Sequence, residues 1–70
     1  MTQLTNEEKV VIVNQHLKNL HYGKFNIEIA IVEQNARLNP DEEALSNLNS
    51  ELLDSNSRIT ALEAELDKLV

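Results

Sequence analysis

The feature that most constrains this chain is a break at Asn39-Pro40, which lies midway between two matching hydrophobic repeats. A proline disfavours helical geometry at the residue before it, so a helix that reaches this point must end near Leu38. Proline also suits the first position of a new helix, and Asn39 is a favourable N-cap for that helix, with Glu42 completing a capping box. The break therefore predicts two helices.

The first helix has its own start signal, because the Thr5 hydroxyl can cap the Glu8 amide while the Glu8 carboxylate reaches back to Thr5. Acidic side chains in that first turn also complement the positive end of the helix dipole. The predicted boundaries are an N-terminal tail at 1–5, a first helix at 6–38, a turn at 38–40 and a second helix at 40–69, with 6–70 forming a single helical hairpin.

Each predicted helix repeats mostly apolar residues in alternating steps of three and four, the spacing of coiled-coil a and d positions. The seam of the first helix consists of Val10, Val13, Leu17, Leu20, Lys24, Ile27, Ile31 and Gln34. The seam of the second helix consists of Leu45, Leu48, Leu52, Ser55, Ile59, Leu62, Leu66 and Leu69. When the two seams run antiparallel, each residue of the first seam faces one residue of the second, and we call each facing pair a layer. The residue numbers of every layer add to 79, so the centre of the pairing falls on the Asn39-Pro40 break.

The polar members of these seams are informative, because Lys24 falls in the same layer as Ser55. Lys24 and Ser55 are therefore candidate register residues, since an isolated polar a position can fix the pairing of helices. The alternative is that the stem of Lys24 packs in the seam while its ammonium group reaches past Ser55 to water.

A competing interpretation is a β-strand at 25–31, where apolar and polar or small residues alternate. A strand there would leave Leu45, Leu48 and Leu52 without partners, so the matched layers favour helix. The predicted fold class is all-α, an antiparallel two-helix coiled-coil hairpin that is expected to dimerise into a four-helix bundle.

A second apolar stripe lies on the side of the first helix that faces away from its seam. We call it the outer stripe, and it consists of Tyr22, Phe25, Ile29, Val32 and Ala36. The corresponding side of the second helix is mostly polar, with Ser46, Ser50, Leu53, Ser57, Thr60, Ala64 and Asp67. A helix that is apolar on two sides is usually central in an assembly, so the outer stripe is the predicted oligomer or partner interface.

Composition limits the function classes. The chain has 70 residues, no cysteine and a net charge of −6, so thiolate metal sites, disulfides and a phosphate-binding surface are not expected. His16 and His21 are spaced unfavourably for a shared metal, and an ion pair of His16 with Glu65 and a hydrogen bond of His21 with Asn56 account for them. We predict no enzyme activity, no catalytic residue, no metal, no cofactor, no nucleic acid or membrane partner, and a cytoplasmic location.

Three segments resemble small uncharacterised helical proteins encoded by phages of marine cyanobacteria: Leu4-Thr5-Asn6-Glu7-Glu8-Lys9, the stretch 14–35, and Asn39-Pro40-Asp41-Glu42 with the heptad helix that follows. The resemblance implies a viral origin, in the host cytoplasm or the virion, and brings no active site. Two functions remain open. One is a structural or virion-associated module that self-associates through the outer stripe, and the other is an adaptor or inhibitor that binds a host protein through the same stripe.

Overall fold

The computed structural model describes residues 3–70, which form two α-helices, α1 at Asn6–Asn35 and α2 at Glu42–Leu69. The helices pack against each other along their length as an antiparallel pair that measures 58 × 20 × 14 Å. This described part of the chain contains no strand, so the predicted all-α hairpin is confirmed and residues 25–31 are helical. Residues 1 and 2 of the predicted tail lie outside the described residues.

The predicted capping box at the start of α1 is confirmed. The Glu8 amide donates a hydrogen bond to Thr5 Oγ1 at 3.1 Å, and the Thr5 amide donates to Glu8 Oε1 at 2.9 Å. The Thr5 backbone N–H, followed by the Thr5 side chain, holds the pKa of Glu8 below its ordinary value. Because a lowered pKa favours the charged form in the folded state, the contribution of the Glu8 carboxylate to this cap is present at neutral pH and is lost as the pH falls through the lowered pKa.

The connection between the helices is longer than the predicted turn at 38–40. Helix α1 ends at Asn35 rather than at residue 38, with Ala36 as its C-cap, and α2 begins at Glu42 rather than at residue 40. The six intervening residues include Leu38, whose side chain is fully exposed at 100%.

The N-cap of α2 is Asp41, and the prediction of Asn39 at that position is wrong. Asp41 Oδ1 accepts hydrogen bonds from the amides of Glu43 and Ala44, at 3.0 and 3.2 Å. These are two of the four amides that a helix N-terminus leaves without an intrahelical partner. Because one carboxylate oxygen satisfies both, the helix starts after Asp41, and Pro40 lies before the cap rather than at the first helical position.

The burial pattern matches the predicted seams at every position. All sixteen seam residues are half-buried or buried, whereas most residues between them are exposed. Only Ile59, at 6% exposure, is fully buried within residues 3–70. Two helices can enclose a line of contacts but not a closed core, so most seam side chains keep one edge in solvent.

The accessible surface of the hairpin is correspondingly large. It totals 5624 Å², about a quarter more than the roughly 4,400 Å² of a compact monomer of this mass. The isolated hairpin therefore buries less of its surface than folded monomers of its size.

Candidate interaction surface on helix α1

The outer stripe lies on the face of α1 that α2 does not cover. Its helical members are exposed to a similar degree, with Tyr22 at 62%, Phe25 at 61%, Ile29 at 41% and Val32 at 62%. Ala36 is exposed as well, but it serves as the C-cap of α1 and so marks the end of the stripe. Helical spacing thus places the four large apolar side chains on one continuous solvent-facing surface.

The stripe extends toward the N-terminus through Val11, which is 58% exposed. Between Val11 and Tyr22 the same face carries the polar residues Gln15 and Lys18. The Lys18 ammonium lies 6.0 Å from the centre of the Tyr22 ring, at the outer limit of a cation–π contact. The apolar part of the face is therefore concentrated in the C-terminal half of α1.

A shallow groove of about 460 Å³ lies within this face and is open to solvent. It is lined by Lys18, His21, Tyr22 and Phe25, and its walls are mainly the carbon atoms of these side chains. A groove of this shape can accept a large apolar side chain from a second molecule.

The outer face of α2 has a different character. Its residues are exposed and mostly polar, and the exception is the isolated Leu53 at 70% exposure. Two surface ion pairs lie along α2, Arg58 Nε with Asp54 Oδ2 at 3.0 Å and Lys68 Nζ with Glu65 Oε2 at 3.2 Å. Exposed pairs of this kind contribute only about 0–1 kcal/mol, so they mark a hydrated surface rather than a source of stability.

The two histidines do not make the contacts expected from the sequence. Neither an ion pair of His16 with Glu65 nor a hydrogen bond of His21 with Asn56 occurs among residues 3–70. Glu65 instead pairs with Lys68, which lies on the same helix three residues away and so needs no reach across the seam. Both histidines are exposed, and His21 forms one wall of the groove.

The polar residues of the seams have distinct surroundings. Lys24 and Ser55 are both half-buried at their predicted seam positions, and Lys24 has no carboxylate partner within 4 Å in the described chain. Gln34, a polar member of the first predicted seam, contacts the turn: its Oε1 accepts a hydrogen bond from the Asp41 amide at 2.9 Å. The heptad pattern carries no signal for this role, because it does not say where the chain leaves the helix.

Within residues 3–70, no three His, Asp or Glu side chains cluster closely enough to hold a metal ion. Neither of the described helices combines the length and apolar content needed to cross a membrane. Comparisons with protein-family models, with curated proteins and with solved structures gave no match to this chain. The outer stripe and its groove are the main exposed apolar features of α1.

Proposed function

We propose that this chain is a non-enzymatic interaction and structural module that self-associates through the outer stripe. In this proposal two hairpins form a four-helix bundle, with both copies of α1 at the centre and both copies of α2 outside. The observation that supports it is the row Tyr22, Phe25, Ile29 and Val32, each between 41% and 62% exposed on the face opposite α2.

The surface area of the hairpin supports a partner of substantial size. A stable interface buries about 800 Å² on each partner, and the excess surface of the isolated hairpin, about 1,200 Å², is larger than that. At about 25 cal/mol per Å², several hundred Å² of apolar surface contributes on the order of 10 kcal/mol before the entropy of association is subtracted. That contribution is large relative to the about 3–5 kcal/mol that a lone core of this size supplies.

The charge distribution favours a second copy as that partner. Residues 1–38 carry four basic and four acidic side chains, so the α1 half is neutral, whereas residues 39–70 carry two basic and eight acidic side chains. Two neutral surfaces meet without net repulsion, and the acidic α2 helices stay apart on the outside. A closed twofold pair is also the commonest arrangement for a single self-complementary patch.

A second candidate function is that of an adaptor or inhibitor that presents the same stripe to a different protein. The groove beside Tyr22 and Phe25 favours it, because a preformed depression can receive an apolar side chain from a foreign partner as well as from a second copy. Together with the resemblance to phage proteins, either function fits a phage accessory or virion-associated protein that acts in the host cytoplasm or the virion.

The mass of the purified chain in solution tests the proposal. Light scattering across a range of concentrations should give twice the 7.9 kDa of the single chain, with a shift toward the monomer on dilution. A mass of 7.9 kDa at every concentration, with a helical circular dichroism spectrum, would exclude self-association and favour the adaptor function.

A further inference from the structure

We infer that the two copies pair antiparallel, with their twofold axis crossing α1 at the level of Gly23 and Lys24. This inference rests on the self-association proposed above and specifies its geometry. On the solvent-facing side of α1, a row of residues continues the outer stripe to Val11 in steps of three and four. The row consists of Val11, Gln15, Lys18, Tyr22, Phe25, Ile29, Val32 and Ala36.

The spacing of this row matches itself when the row is reversed. If facing residue numbers add to 47, every position in the row meets another position of the row, and the centre falls at 23.5, between Gly23 and Lys24. Each layer then occurs twice by symmetry. The layers are Val11 with Ala36, Gln15 with Val32, Lys18 with Ile29, and Tyr22 with Phe25.

The groove lies where this arrangement needs it. Its walls span residues 18–25, so residues of the second copy near position 25 are opposite its middle. Phe25 of the second copy is the large apolar side chain at that level, and it would stand against Tyr22. The two grooves, which the twofold axis relates to each other, would each receive one phenyl ring, and aromatic pairs of this kind add to the effect of area alone.

The charged side chains beside the row favour the same antiparallel arrangement. His21 and Glu28 lie on one flank of the row, seven residues apart and therefore on the same side of α1. With the axis at 23.5, His21 of each copy lies beside Glu28 of the other copy. Two such cross-copy contacts bring opposite or neutral groups together and no like charges.

Two other arrangements of the same faces bring like charges together, although one of them also pairs Phe25 with Ile29. Moving the axis by half a heptad, so that facing numbers add to 54, brings Glu28 against Glu28 of the other copy and leaves Val11 uncovered. A parallel pair brings Lys18 against Lys18 in the middle of the interface and Glu28 beside Glu33. Like charges that face each other across such an interface are destabilising.

Disulfide trapping distinguishes these arrangements, because the natural chain has no cysteine. Lys18→Cys and Ile29→Cys chains are mixed, reduced and then oxidised slowly, and the products are identified by mass. We expect the mixed Lys18→Cys/Ile29→Cys disulfide to dominate. Neither variant should join to itself, since each cysteine would be displaced by eleven residues, about 16 Å, from its own copy.

The same experiment with Phe25→Cys and Ile29→Cys chains is the matched control, and it should give little mixed product. A dominant disulfide between the Phe25→Cys and Ile29→Cys chains would place the twofold axis at the level of residue 27, and it would overturn the inference. Self-joined Lys18→Cys and Ile29→Cys products would show a parallel pair, and a dimer that forms no mixed disulfide would also overturn it. A monomeric wild type is a different failure, because it removes the proposed self-association itself.

A charge reversal provides a second test that introduces no cysteine. His21→Glu should raise the dimer dissociation constant about fivefold, since it creates two like-charge contacts with Glu28 of the other copy. Adding Glu28→Lys to it should restore the dissociation constant to within about twofold of wild type. His16→Glu is the matched control, because His16 is an exposed histidine of α1 outside the row, and it should leave the dissociation constant unchanged. If His21→Glu and His16→Glu behave alike, the antiparallel arrangement at 23.5 is wrong.

Discussion

Helices α1 and α2 have the same inner face and different outer faces. Both bury a seam of eight residues at steps of three and four against the other helix. On the outside, α1 presents exposed aromatic and aliphatic side chains, whereas α2 presents serine, threonine and acidic residues with the single exposed Leu53. The contact between the two helices explains the apolar residues of the seams but not the apolar residues of the outer stripe.

The outer face of each helix indicates whether that helix needs a second packing partner. An amphipathic helix such as α2 needs one packing partner, because its polar face is stable in water. A helix with apolar residues on two opposite sides, such as α1, has surface that the hairpin leaves unused. The outer face of α1 is thus the place where a change should affect assembly, and the outer face of α2 is the place where it should not.

The largest effect is expected from an acidic substitution on each outer face. Val32→Asp should give a monomer that is largely unfolded, because it places an unpaired carboxylate in the proposed interface, where Val32 faces the uncharged Gln15 of the other copy. Leu53→Asp makes a comparable change from an exposed aliphatic residue to aspartate on α2, and it should leave mass and melting temperature nearly unchanged. Light scattering and thermal circular dichroism measure both. Equal losses in the two variants would mean that the two outer faces do not differ in function.

Lys24→Leu concerns the inner face that the two helices share. We expect it to raise stability by about 1 kcal/mol while loosening the register or the oligomeric state, because a polar layer reduces stability and favours one pairing. Thermal unfolding and the distribution of masses report the two effects separately. A lower melting temperature would show that the Lys24 ammonium has an anionic partner in the assembly.

Gly23→Ala should have the smallest effect, a stabilisation of about 0.5–1 kcal/mol. Gly23 has no positive φ, and a Cβ added to it meets no atom within 4 Å, so nothing inside the hairpin requires glycine. A Cβ at position 23 would also point away from the outer stripe of α1, so the proposed second copy does not approach it. Urea unfolding measures the change, and a destabilised variant would indicate that a second backbone packs at Gly23.

The sequence predicted the parts of the fold that depend on periodicity. The seams, the exposed outer stripe and the Thr5 capping box followed from spacing and from local hydrogen-bond chemistry, both of which are properties of neighbouring residues. The turn was harder, because Asn39 and Asp41 are comparable N-caps, and the hydrogen bond from the Asp41 amide to the Gln34 side chain is a contact that spacing does not predict.

The heptad pattern also did not predict which side chains form contacts at the surface. The His16–Glu65 pairing followed from the register, but Glu65 has a nearer partner in Lys68 on its own helix. Alternative ion pairs of an exposed charge differ in free energy by less than about 1 kcal/mol. The alignment of positions alone therefore does not determine which pair forms.

The central claim, that the outer face of α1 is covered by a second copy, has a natural probe. Tyr22 is the single tyrosine, the chain has no tryptophan, and the Tyr22 side chain is 62% exposed in the isolated hairpin. Its fluorescence therefore reports on the outer stripe without any substitution. We predict that quenching of this fluorescence by acrylamide weakens markedly as the protein concentration rises from about 1 µM to about 100 µM, the range in which micromolar dimers assemble. Quenching that is equally strong across that range, with the helices intact by circular dichroism, would contradict the account.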